Sequence, residues 1–154
     1  MRSLRDPERV AELLDVASKA IPTFEAANND RALGRAWLCV GLVKGGFYCE
    51  YAALEEASAR AAQYYKRGGW SPSTALENLG TALFFGPKPV AAALAQCAQL
   101  VGEHEGDRAS EANIVAWQGG LEAMLGRFDQ GRASVARART IFQELGLEIG
   151  TLDT

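Results

Sequence analysis

The chain has one histidine, His104, and three cysteines, Cys39, Cys49 and Cys97, with no CxxC pair among them. A metal site needs more ligands than that. An odd number of thiols set in Ala- and Leu-rich segments reads as small buried hydrophobes in a reducing compartment, not as a disulfide framework. His104 stands between Glu103 and Glu105 at a helix end and is expected to be solvated. No GxxxxGK[ST] loop is present to cradle a phosphate. Net positive charge is missing as well: 16 basic residues against 19 acidic give a formal charge of -3, and the arginines are dispersed, which argues against nucleic-acid binding. No apolar run approaches the roughly 20 residues that cross a bilayer. Met1 to Pro7 is charged and lacks an apolar leader core, so a cytoplasmic chain with no membrane association is expected. Period-two alternation is absent, which removes half-buried strands and leaves an all-α chain. Nucleophile–base pairs are missing too. Glu111 and Glu122 are about three turns apart and make no acid/base pair, so neither catalysis nor a cofactor is expected.

What the chain does have is a core and a period. Of its 154 residues 48% are hydrophobic and 23% charged, enough apolar material for a packed domain. Gly41, Gly80 and Gly119 lie at equal steps of 39 residues, each inside an apolar segment of helical character, and Asp30-Arg31-Ala32 returns 77 positions on as Asp107-Arg108-Ala109. A period of this length marks stacked helical units, each of which needs its neighbours to bury its apolar face.

Caps and breakers divide the chain into about seven helices. Asp6-Pro7 starts the first, which runs to about Ala27 with a kink or break expected near Lys19 to Ile21 because Pro22 removes a hydrogen bond there. Asn29 or Asp30 caps the second, expected to end near Gly45-Gly46. The third covers roughly Tyr51 to Arg67 and stops at Gly68-Gly69, where left-handed backbone costs little. Ser71-Pro72 starts the fourth, which runs to Phe85. The fifth spans Pro89 to about Glu105, the sixth follows the Asp107 cap to Leu125, and the seventh follows Gly126-Arg127-Phe128 to Leu145. Connections this short make successive helices antiparallel neighbours. The tail, 147–154, is expected to fray.

At this point the residues resemble the tetratricopeptide-repeat family. Ala20, Phe24 and Ala27 match a second repeat helix lacking its first. Trp37, Val40 and Gly41 match the next first helix, with Tyr51 at the turn and Ala61 at the last small position. Leu79-Gly80, Val90, Ala93, Cys97 and Leu100 continue the pattern, as do Gly119, Phe128, Gly131, Val135 and Ala138. The period of 39 exceeds the family's usual 34, Leu54 stands where a small residue is usual, and Gly131 stands where alanine is usual. Longer, degenerate repeats of this kind are similar to the C-terminal helical regions of large bacterial signalling ATPases joined to nucleotide cyclase or transcription-activator domains. Ala20-Ile21-Pro22-x-Phe24-Glu25, Leu83 to Val90 and Gly120 to Asp129 carry that likeness.

The resemblance implies a right-handed solenoid of antiparallel helix pairs in one domain, 1–154. Its parts are a half repeat at 7–28 and repeats at 30–68, 71–105 and 107–145. It also implies a non-catalytic scaffold that binds a protein or peptide. With the repeat glycines as register, the concave face should receive Arg35, Leu38 and Leu42 from the second helix. Glu77, Asn78, Thr81 and Phe84 should reach it from the fourth, and Asn113, Trp117 and Met124 from the sixth. Amides there would satisfy a ligand's backbone, and aromatics would supply apolar area. A second role is self-association into a homodimer through the unfinished N-terminal half repeat, whose Leu13, Leu14, Ile21 and Phe24 would form the exposed face.

Overall fold

The structure is a computed structural model that describes residues 7–147, and within them every regular element is an α-helix. The helices are α1 (Pro7–Ala26), α2 (Asp30–Tyr48), α3 (Tyr51–Arg67), α4 (Ser73–Phe85), α5 (Val90–Glu103), α6 (Arg108–Met124) and α7 (Phe128–Glu144). None is long and apolar enough to cross a membrane. The chain divides into two compact units, Met1–Pro87 with α1 to α4 and Lys88–Thr154 with α5 to α7. Asp6 as a cap and the tail beyond residue 147 lie outside the described residues.

In the first unit α1 lays Ala17 and Ile21 on α2 in a cluster with Leu33, Ala36 and Val40, which Ala57 of α3 completes, with Leu14 and Phe24 packed alongside. These α1 positions recur every three or four residues and make one apolar stripe. α1 runs unbroken through Pro22, so of the kink or break expected there the break does not occur. Ile21 and Phe24 pack on the same cluster from either side of Pro22, so tertiary contacts hold a turn that lacks one hydrogen bond. The helix stops at Asn28, whose φ of 50° is left-handed. Asn29 then caps α2 by accepting from the Ala32 N–H at 3.1 Å.

α2 also overruns its expected end at Gly45-Gly46 and finishes at Tyr48, with Cys49 in the left-handed region. Gly45 is buried, and a Cβ there would stand 2.6 Å from Leu54 Cδ2. Its glycine serves close approach to α3 and does not end the helix. α3 keeps its expected bounds, and α4 begins one residue later than expected, with buried Pro72 at the cap position. α4 packs on α3 and also reaches α2, closing the unit with buried Leu76, Leu79 and Leu83. Its terminal Phe85 stacks on Tyr51 at the start of α3, ring centroids 5.6 Å apart.

One position in this unit is strained by its polarity. Ser58 is fully buried on α3, and its Oγ has no hydrogen-bond partner among the described residues. Desolvating a hydroxyl without compensation costs about 1–3 kcal/mol. Ser58→Ala should therefore raise the denaturant midpoint, by about 1 kcal/mol in free energy. A fall on substitution would show that the hydroxyl is bonded after all.

In the second unit Asp107 caps α6 as expected, accepting from the Ser110 N–H at 3.1 Å and from Ser110 Oγ at 2.7 Å. α5 packs on α6 through Ala93 and Cys97, and α6 packs on α7 around Ile114, Leu121, Ala138 and Ile141. His104, expected in solvent, is half-buried at the end of α5 with both ring nitrogens shielded from water.

The pairs α2–α3 and α6–α7 are built alike. Their caps, Asn29 and Asp107, and their glycines, Gly41 and Gly119, are each 78 residues apart, while α3 and α7 have equal length and are offset by 77. A Cβ on Gly41 would meet Ala57 Cβ at 3.1 Å, with Leu54 and Ser58 next. One on Gly119 would meet Val135 Cγ2 at 2.7 Å and the Gly131 carbonyl oxygen at 2.8 Å, with Ser134 next. Leu54, Ala57 and Ser58 become Gly131, Ser134 and Val135 at the offset of 77. The partners run in opposite senses: 34 meets 65, 41 meets 57 and 45 meets 54 in one pair, while 111 meets 137, 119 meets 131 and 122 meets 134 in the other. The open end of each pair carries an Arg–carboxylate bridge, Arg67 to Asp30 and Arg108 to Glu144. The Arg67 guanidinium holds the Asp30 carboxyl below its ordinary pKa.

The thiols separate by burial. Cys97 is fully buried, and burial, with Glu122 nearby, pushes its pKa up to about 11; the Cys39 thiol is also raised by burial. Cys49 is exposed. Since the thiolate is the nucleophile, Cys97 at pH 8 would be about one-thousandth ionised even if reached. Iodoacetamide should therefore label one site per chain quickly, Cys49 by peptide mapping. Labelling of Cys97 as fast as a free peptide would displace α5 from α6.

Candidate interaction site

The close crossing of α6 and α7 shapes an open groove of about 540 Å³. Its floor is backbone, because Gly119, Gly120 and Ala123 of α6 face Gly131 of α7 with little side chain between them. One hydrogen bond fastens the two helices beside it, Glu122 of α6 accepting from Ser134 Oγ of α7 at 2.7 Å, and Glu122 also accepts from Gln118 Nε2 of its own helix at 3.1 Å. One wall is apolar, made by Phe128, Val135 and Ala136, with Phe128 60% and Val135 50% exposed. Arg132 and Arg139, seven residues apart on α7, add two guanidinium groups. Arg132 is bridged to the exposed Asp129, whereas Arg139 has no carboxylate partner among the described residues.

None of the ten residues assigned from the sequence to a concave face lines this groove. Arg35, Leu38 and Leu42 lie on α2, with Leu38 half-buried and the other two exposed. On α4, Glu77 is exposed, while Asn78, Thr81 and Phe84 are half-buried. Asn78 Nδ2 donates to the Thr74 carbonyl at 2.8 Å and Thr81 Oγ1 to the Glu77 carbonyl at 3.1 Å, so both polar groups are engaged within their own helix. Phe84 meets Phe85 edge-on at 4.9 Å. These seven belong to the first unit, and Asn113, Trp117 and Met124 to the second, where Asn113 and Trp117 are half-buried and Met124 is exposed. Gly119, Phe128, Gly131 and Val135, which carry the repeat pattern, are among the residues that line the groove.

The first unit has a candidate surface of its own, rich in arginine and aromatics. Its rings are already covered from within: Arg31 lies 3.7 Å from the centroid of Trp70, Arg60 4.4 Å from Trp37 and Arg67 4.9 Å from Tyr64. The apolar face expected on the N-terminal half repeat is also divided. Leu14, Ile21 and Phe24 pack against α2, which leaves Leu13 and Val16 exposed. The two carboxylates on α6 are engaged as well, Glu111 with Arg137 and Arg108, and Glu122 as above. Among the described residues no group of three His, Cys, Asp or Glu could hold a metal ion.

No family model, curated protein or solved structure matches the chain.

Proposed function

We propose that the chain is a non-catalytic scaffold of tetratricopeptide-like helical repeats that binds another polypeptide. The open, apolar, glycine-floored groove on α6–α7 carries this reading, because a wall holding an exposed Phe128 and Val135 costs solvation free energy unless a partner covers it. The two helix pairs of like build support a repeat architecture, in which stacked units bury one another's faces. In this reading the chain is a piece or a relative of a larger signalling or transcription regulator and works in the cytoplasm.

Selection of displayed peptides on the immobilised full chain tests this. A convergent motif that binds with micromolar Kd is expected; enrichment no better than on an unrelated helical protein of equal charge would overturn it. Self-association through the N-terminal half repeat, of whose expected face Leu13 stays exposed, is the competing role. Sedimentation velocity at micromolar concentration is expected to give a monomer, and a stable dimer would favour that role instead.

A further inference from the structure

We infer that the α6–α7 groove receives an amphipathic helix of a partner protein that carries two carboxylates two turns apart. The inference rests on the binding-scaffold reading and names the chemistry of the ligand. Its first support is internal. At the offset of 77, the groove-lining residues Phe128, Arg132, Val135 and Arg139 of α7 stand where α3 has Tyr51, Glu55, Ser58 and Ala62. In the first unit that face is closed: Tyr51 is stacked under Phe85 of α4, Ser58 and Ala62 are buried, and Glu55 is half-buried. Besides α2, which meets Ser58 at Gly41, the element that lies on α3 there is a helix, α4, with Phe85 on Tyr51. In the second unit Phe128, Arg132, Val135 and Arg139 are all exposed. The groove is thus the counterpart of a surface that this same chain covers with a helix.

The second support is charge. Glu55 and Ala62 in the covered face are replaced by Arg132 and Arg139 in the open one, so the position that was acidic and the one that was neutral are both cationic. A helix like α4, apolar at Leu76, Leu79 and Leu83 and aromatic at Phe85, would fit the floor and stack on Phe128. It would leave Arg139 facing a neutral side chain and Arg132 with only the exposed Asp129 as partner. Counting back from the Phe85–Tyr51 stack in opposite senses sets Thr81 of α4 opposite Glu55 and Thr74 opposite Ala62. Carboxylates at those two places would pair with Arg132 and Arg139, and arginine favours carboxylates through its planar fork of donors.

The probe is a stapled, acetylated and amidated peptide of the α4 sequence, Ser73–Phe85, with Thr74→Glu and Thr81→Glu. A second peptide carries Thr74→Lys and Thr81→Lys. Fluorescence anisotropy with the full chain should give a Kd on the order of 10 μM for the glutamate peptide and at least tenfold weaker binding for the lysine peptide. Arg132→Glu with Arg139→Glu, both exposed, should leave the circular-dichroism spectrum unchanged and reverse that order. Phe128→Ala should weaken both peptides. Equal binding of the two peptides, or glutamate binding untouched by the charge reversal, would overturn the inference. If a display-selected peptide binds the chain but the α4-based peptide does not, the groove assignment fails and the scaffold reading stands. If neither binds, both fail.

Discussion

Gly119→Leu should destabilise the protein by about 3 kcal/mol, read as a shift in urea midpoint at constant slope. At this crossing α6 and α7 approach backbone to backbone. Even a Cβ on Gly119 would stand 2.8 Å from the Gly131 carbonyl oxygen, and one on Gly131 would stand 2.7 Å from the Gly119 carbonyl oxygen. Neither obstacle is the mobile end of a side chain, so the helices themselves would have to separate. A non-glycine residue gains up to about 1 kcal/mol in helix propensity, which is smaller than the overpacking cost. Gly102→Ala is the internal control. Gly102 lies in α5, is exposed and has nothing within 4 Å of an added Cβ, so propensity acts alone and the variant should gain about 0.5–1 kcal/mol. A Gly119→Leu protein as stable as the parent would mean that α6 and α7 do not cross at these glycines, and the groove floor would go with them.

The parts of this fold that were legible in the sequence are those set by local chemistry. Asp107 caps α6 with its own carboxylate, Gly69 and Gly126 take left-handed backbone with φ of 74° and 75°, and α3 and α7 begin and end within a residue of where the punctuation sets them. Gly41 and Gly119 could be read as crossings because their spacing repeats within helical segments. Where one residue type can do two jobs, the pattern was ambiguous. Gly45-Gly46 resembles a terminator, yet Gly45 lies against Leu54 within a continuing helix. Pro22 resembles a breaker, yet packing of Ile21 and Phe24 holds its turn. A period identifies equivalent helices without saying which neighbour each one packs on, and this bears on α4, which lies on α3. The groove was missed for the same reason. The register assigned the first helix of each repeat, α2, α4 and α6, to the binding face, whereas the open wall belongs to α7. The signal was available in Phe128, Arg132, Val135 and Arg139, an i, i+4, i+7, i+11 stripe of mixed apolar and cationic residues on a helix whose buried stripe is Gly131, Ala138 and Ile141.

Leu33→Ala should cost about 4 kcal/mol, toward the upper part of the range for truncating a buried leucine. Leu33 is 1% exposed, and the cluster around it contains Ala17, Ala36 and Ala57. That composition decides the magnitude. A cavity heals when neighbouring side chains swing into it, but an alanine Cβ is fixed to its backbone and can move only with its helix. Three of the walls can therefore move only as whole helices: α1, which packs on α2, α2 itself, and α3, which also carries α4. Ile21 and Val40 can adjust only at their outer methyls, so most of the vacated volume should persist. Leu33→Met nearly conserves volume and, with its flexible thioether, should cost less than about 1.5 kcal/mol. Leu13→Ala, on the exposed face of α1 at 40% exposure, should stay within about 0.5 kcal/mol of the parent. Urea titrations followed by circular dichroism would rank the three. If Leu33→Ala lost no more than Leu33→Met, the site would be collapsing freely, which alanine walls on three separate helices do not allow.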